Sequence, residues 1–226
     1  GGSTLFFFFF YSKSCKITFE DEKGVKSTPK YYQINYRKYD EGTNVESFSK
    51  EVIDKAKPKI IEANSKMLNP TMFPDVIVNE NKNMAPGDTL IVKLPEGEHA
   101  VCNILFDVKG IDQTLYAQTM REIIFMSGFD GKYTSWVPLS DFSGGGMGAP
   151  LVDSWFLSAN GKGTVESRWL MPYKSNGKIA LVNASAQNVT ASIRVGVLKQ
   201  KWEKNTLYFH ASVSFLIKPS HISIIK

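Results

Sequence analysis

The sequence predicts an all-β protein built as a jelly-roll β-sandwich, and three observations carry the prediction. Short runs rich in Val, Ile, Phe and Tyr recur between Gly, Pro and Asn turns, about eight or nine of them over roughly 150 residues. No helical pattern alternates with them, which excludes a parallel α/β architecture. A faint internal repeat lays Phe8–Ile17 on Leu170–Ile179, pairing Tyr11 with Tyr173, Lys16 with Lys178 and Ile17 with Ile179. Such a repeat suits two tandem copies of one β unit.

Taken in order, residues 1–46 hold an apolar run at Leu5–Tyr11 and strand patterns at Lys16–Phe19 and Lys30–Tyr39. They are expected to be the C-terminal strands of a first jelly roll. From Ser47 the period changes: Val52, Ile53, Ala56, Ile60, Ile61 and Ala63 fall at helical spacing. Residues 47–69 are therefore a helical connector, which Pro58 is expected to split into two short helices. Asn69-Pro70 and Phe73-Pro74 form a linker. Residues 70–226 are expected to be a complete second jelly roll. Its strands are placed at Asp75–Asn79, Asp88–Leu94, Ala100–Val108, Gln113–Phe129, Ser135–Leu139, Val165–Leu170, Lys178–Val182, Ala191–Leu198 and Leu207–Ile217. Asp130-Gly131 predicts a tight hairpin. Met171-Pro172-Tyr173 predicts a strand end, because proline cannot donate to a ladder.

Composition narrows the function. The chain is 42% hydrophobic and carries a net charge of +5 spread along its length. Without an Arg-rich cluster or a nucleic-acid module, that charge describes a weakly basic surface, and no nucleic-acid partner is expected. No apolar run approaches the roughly 20 residues that span a bilayer, so no membrane partner is expected. Leu5–Tyr11 lacks the basic flank of a signal peptide. Cys15 and Cys102 lack metal-ligand spacing and are expected to be buried small hydrophobes. No metal, phosphate-loop, dinucleotide or nucleophile-elbow motif occurs, so neither metal nor cofactor is expected. Asn183-Ala184-Ser185 and Asn188-Val189-Thr190 are acceptor sequons only in a eukaryotic secretory host.

The polar residues that stand out cluster around the loop Ser143–Gly148, whose glycines permit close approach of a ligand or a second backbone. Glu166 follows this loop in an apolar strand beside Arg168 and Trp169. Asp141 and Asp153 bracket the loop, and Glu122 opens the strand before it. These four carboxylates are the catalytic candidates. Set against this, Glu166 and Arg168 two apart suit a solvated strand face, and the two aspartates suit turn residues. Trp136, Trp155 and Trp169 are candidates to stack on sugar faces. His210 joins them from a strand that puts Tyr208, His210, Ser212 and Ser214 on one side.

Several pieces carry a family resemblance: Arg121-Glu122-Ile123-Ile124-Phe125-Met126-Ser127-Gly128-Phe129-Asp130-Gly131, Val137-Pro138-Leu139-Ser140-Asp141-Phe142, and Glu166-Ser167-Arg168-Trp169-Leu170-Met171-Pro172-Tyr173. With Tyr32–Tyr36 and Leu207–Ala211, they resemble the domain of unknown function 2961 family, glycoside hydrolase family 172. The resemblance implies two tandem jelly rolls, the first starting upstream of Gly1. It also implies exo-acting hydrolysis or rearrangement of fructo- or arabinofuranosides through two glutamates, here expected to proceed with retention, and oligomers that bring neighbouring subunits to the site. A carbohydrate is the expected partner. A periplasmic or secreted location in a bacterium is expected where a signal precedes the chain, and a cytoplasmic one otherwise. The alternative is a non-catalytic jelly roll that binds carbohydrate or builds oligomers.

Overall fold

A computed structural model describes residues 9–18 and 32–213. Contacts divide the chain into two compact units, Gly1–Asn64 and Ser65–Lys226.

In the first unit, Phe48 donates its N–H to the Phe10 carbonyl at 2.7 Å, and Phe9 meets Phe48 edge to face at 4.8 Å. The strands expected at Lys16–Phe19 and Lys30–Tyr39 are absent over their described parts. An extended run becomes a strand only where a second backbone accepts its hydrogen bonds, and among the described residues none does. Cys15, expected to be buried, is exposed. Helix α1 spans Lys50–Leu68, unbroken by Pro58. Proline removes one donor, and the turns on either side keep theirs. Ser49 caps the helix by accepting the Val52 N–H at 3.3 Å.

The second unit is the all-β sandwich predicted from the sequence, with two sheets enclosing one core. Its strands are β1 Val76–Met84, β2 Thr89–Lys93, β3 His99–Lys109, β4 Ile123–Phe129, β5 Lys132–Pro138, β6 Val152–Asp153, β7 Leu157–Ala159, β8 Thr164–Ser167, β9 Met171–Tyr173, β10 Gly177–Asn183, β11 Val189–Lys199 and β12 Ala211–Ser212. A seven-stranded sheet runs β1-β11-β3-β8-β7-β6, with β9 also on β3, and a five-stranded sheet runs β12-β5-β4-β10-β2. Strict alternation builds the core. Ile104, Phe106 and Val108 of β3 and Ala191, Ile193, Val195 and Val197 of β11 are buried, while Asn103, Asp107, Ser192 and Arg194 face outward. Phe106 meets Phe125 of the opposite sheet at 5.5 Å, and Phe129 stacks on Tyr173 at 5.7 Å. Cys102 is buried, and burial pushes its thiol pKa up.

The open strand β1 pairs only with β11 among the described residues. It shares its inward face between Val78, Glu80, Lys82 and Met84, with Lys82 paired to Asp88 at 3.3 Å.

Four expected strands differ. Gln113–Phe129 is divided into helix α2, Tyr116–Glu122, and strand β4. The Asp112 side chain accepts the Thr114 N–H at 2.8 Å and its hydroxyl at 2.7 Å, a turn that starts a helix. The following turn then buries Thr119 and Met120. Strand β5 stops at Pro138, and Leu139–Phe142 forms a short helix, α3. Val165–Leu170 is broken after Ser167, where the Arg168 N–H turns to the Phe156 carbonyl at 2.7 Å. Met171–Tyr173, expected only to end a strand, resumes pairing with β3 as β9. Pro172 is tolerated there because β9 has β3 as its single neighbour. In Leu207–Ile217, pairing among the described residues is limited to Ala211–Ser212.

The hairpin at Asp130-Gly131 is as predicted: φ is 51° and 79° at the two residues, the signature of a type I′ turn. Asp130 does more than turn the chain. Its carboxylate accepts the N–H groups of Lys174, Ser175 and Asn176 at 2.7, 2.6 and 3.0 Å and the Tyr208 hydroxyl at 3.0 Å. Partial desolvation opposes ionisation, yet these donors outweigh it and hold its pKa below the ordinary 3.8. A folded-state pKa below the unfolded one stabilises the protein above about pH 4, and the contribution fades as pH falls through the lowered value. Thermal melts of wild type and Asp130→Asn should therefore differ at pH 7 and draw together only as pH falls through the lowered value, below the ordinary 3.8. A gap that stays equal across this range would contradict this.

Candidate functional site

The most elaborate polar cluster lies on the outer face of the seven-stranded sheet. Glu166 stands on β8, opposite Leu105 of β3 and Ser158 of β7. Strand alternation sends Val165 and Ser167 into the interior and leaves the Glu166 side chain 30% exposed. One carboxylate oxygen accepts the Asn103 amide at 2.6 Å. The other accepts Arg168 Nη2 at 2.6 Å and the Ser158 hydroxyl at 3.3 Å. Ser158 in turn accepts from Arg168 Nη2 at 3.1 Å, closing a triangle.

Arg168 is only 8% exposed. Its Nη1 donates to the carbonyls of Ser154 and Trp155 at 3.3 and 3.4 Å, while its Nε finds no partner. A buried guanidinium fixed at both nitrogens clamps the carboxylate in one orientation. The pair is therefore a built feature rather than two solvated charges on a strand.

Asp153 of β6 joins the same face. It pairs with Ser158, which pairs with Glu166, so two strand spacings put the Asp153 and Glu166 backbones about 10 Å apart. Trp155 and Phe156 lead into β7, and the Phe156 ring stacks on Trp169 at 4.1 Å and 7°. Glu166, Asp153 and Trp155 are thus drawn to one region by β6, β7 and β8, whereas the Trp169 ring packs against the core and meets Phe209 at 6.1 Å.

Asp141 and Glu122 are placed elsewhere. Asp141 of α3 is ion-paired with Arg121 of α2, and Glu122 accepts the Gln118 amide at 3.0 Å. An open cleft of about 440 Å³ is lined by Thr114, Ala117, Gln118, Arg121, Glu122 and Met147. Met147, at the tip of the glycine loop, is 68% exposed. The loop reverses direction through glycines at φ near +80°, Gly144 and Gly148.

Trp136 lies on the outer face of the five-stranded sheet, on the far side of the sandwich from Glu166. His210 precedes β12, the neighbour of β5, and is exposed. The sequence spacing shows Glu166 and Arg168 on one face. It conceals Asn103 and Ser158, whose part depends on strand register. Among the described residues, no group of three or more His, Cys, Asp or Glu side chains is placed to hold a metal ion.

Fold and cluster together define an all-β sandwich protein that presents a clamped carboxylate on a sheet face. Residues 1–56 match the GH172 first beta-sandwich domain. The match agrees with the family resemblance in the sequence and links this part of the chain to a glycoside hydrolase family. No curated protein matches the chain.

Proposed function

We propose that the chain belongs to a furanoside-acting glycoside hydrolase of retaining type, with Glu166 as one of its two carboxylates. The observation that carries the reading is the clamp on Glu166, in which Asn103, Arg168 and Ser158 fix both oxygens while the side chain stays 30% exposed. A carboxylate immobilised in this way meets a reacting carbon with little loss of orientational freedom. Asp153, on the same face, supplies the second carboxyl group. Retention needs the two groups about 5 Å apart, and inversion about 6.5 to 9.5 Å. Trp155 and the Phe156–Trp169 stack provide faces for a sugar ring. The resemblance extends the reading to a homo-oligomer whose neighbouring subunits complete the site, and to fructo- or arabinofuranosides as substrates.

One observation favours a second reading, a non-catalytic carbohydrate-binding or structural module. Three hydrogen bonds already engage Glu166, as they would in a brace between β3, β7 and β8. A panel of aryl fructo- and arabinofuranosides separates the two. Turnover is expected on at least one member, with the product anomer of the first minutes matching the substrate. Silence across the panel with glycan binding retained would favour the module.

A further inference from the structure

The outer face of the five-stranded sheet carries a second, independent constellation. Strand β5 contains a bulge: Ser127 pairs with Ser135 and Gly128 with Tyr133, leaving Thr134 as the extra residue. Thr134 and Ser135 are both buried. The bulge therefore turns Tyr133 and Trp136, three positions apart, onto the same outward face. They are 68% and 53% exposed. At the usual rise of a strand, they stand about 7 to 10 Å apart along it, the span of about two sugar rings.

The surface beside them is low and cationic. Gly128 has no side chain, and a Cβ there would lie 3.1 Å from Cε of Lys178. Lys178 uses that space to set its ammonium 4.6 Å above the Tyr133 ring and 3.3 Å from its hydroxyl. Lys93 is the cross-strand partner of Lys178. Met126 and Ala180, the partners in register with Trp136 and Ile91, are 7% and 0% exposed and form a floor between these two. None of the outward residues of these strands is a carboxylate.

We propose that this face binds an anionic oligosaccharide, with Tyr133 and Trp136 stacking on successive sugar rings and Lys93 and Lys178 meeting its carboxylate or sulfate groups. Charge decides the occupant. Two lysines on a sheet face whose own strands carry no carboxylate, with Glu80 of β1 across a cleft from Lys93, on a chain of net charge +5, complement an acidic glycan. Lysine is depleted where proteins dock on one another. The site needs nothing from Glu166, so it stands or falls apart from the hydrolase reading.

The test uses the full chain, in wild-type form and as Glu166→Gln. Titration calorimetry is run with oligogalacturonate, chondroitin sulfate and the carboxyl-reduced form of the first. Binding to at least one acidic ligand is expected, unchanged in Glu166→Gln and weakened by added salt. Trp136→Ala and Tyr133→Ala should each weaken it about five- to tenfold. Lys93→Glu with Lys178→Glu should abolish it. All these side chains are surface-exposed or partly so, and each variant's folding is checked by circular dichroism. The proposal is overturned by no binding to either acidic glycan, or by equal binding of the carboxyl-reduced one. Affinity indifferent to Trp136→Ala overturns it too. Concentration-dependent self-association lost in Trp136→Ala, with no glycan bound, would overturn it in favour of a second copy of this chain.

Discussion

Replacing Glu166 by glutamine is expected to lower furanoside turnover by on the order of 10²-fold or more while the protein stays folded. The change keeps the volume and removes the charge. It also alters the clamp, because glutamine offers one acceptor oxygen where Asn103, Ser158 and Arg168 now meet two. The amide that replaces the other oxygen faces donors, so a stability loss of about 1 to 3 kcal/mol is expected from a hydrogen bond to a charged group. Turnover must therefore be read well below the melting transition, with the KM and kcat effects separated. A loss in kcat with little change in KM marks a residue acting in the transition state. Wild-type turnover in a folded Glu166→Gln protein would make Glu166 a brace and move the search to Asp153 and to the cleft of Glu122, with Asp141 beside it.

Gly163→Ala is expected to destabilise the second unit by about 3 kcal/mol or more. Gly163 has φ of +101°, and a Cβ there would lie 2.1 Å from the Val108 carbonyl oxygen. The neighbour is backbone, which cannot swing aside as a side chain does. The loss should lower the melting temperature by on the order of 10 °C. Since the Val108 N–H donates to the Gly163 carbonyl at 3.0 Å, this contact also sets where β8 begins on β3. Any accommodation must shift Glu166 against Asn103, so residual activity should fall further than stability alone explains. An unchanged melting temperature would show that the loop has room that its geometry denies.

Much of the sandwich was legible because its signals are local. The alternation in Ala100–Val108 and Ala191–Leu198 and the Asp130-Gly131 turn each announce themselves within a few residues. Helix α2 was hidden because Gln113–Phe129 joins a helix and a strand that are both apolar, and only the Asp112 turn and the tertiary burial of Met120 separate them. Pro58 misled for the opposite reason: one missing hydrogen bond does not outweigh the intact turns around it. The candidate site divides similarly. Glu166 and Arg168 share a face by spacing alone, whereas Asn103 is brought to Glu166 by the pairing of β3 with β8, a contact across 63 positions. The grouping of Trp136 with the carboxylates rested on nearness in sequence. The bulge in β5 and the division into two sheets set it on the opposite side.

Strand β1 ends the larger sheet among the described residues, with a row of backbone donors and acceptors that no further described strand meets, a surface onto which an extended peptide can zip. Here that growth is blocked by composition. Glu80 and Lys82 occupy the inward side of the strand, and Asn79, Asn81 and Asn83 the outward side. A strand laid alongside would have to dehydrate two charges and three amides for each ladder it gained. Among the described residues the larger sheet therefore stops at β1, its margin guarded by charges and amides rather than by a further strand.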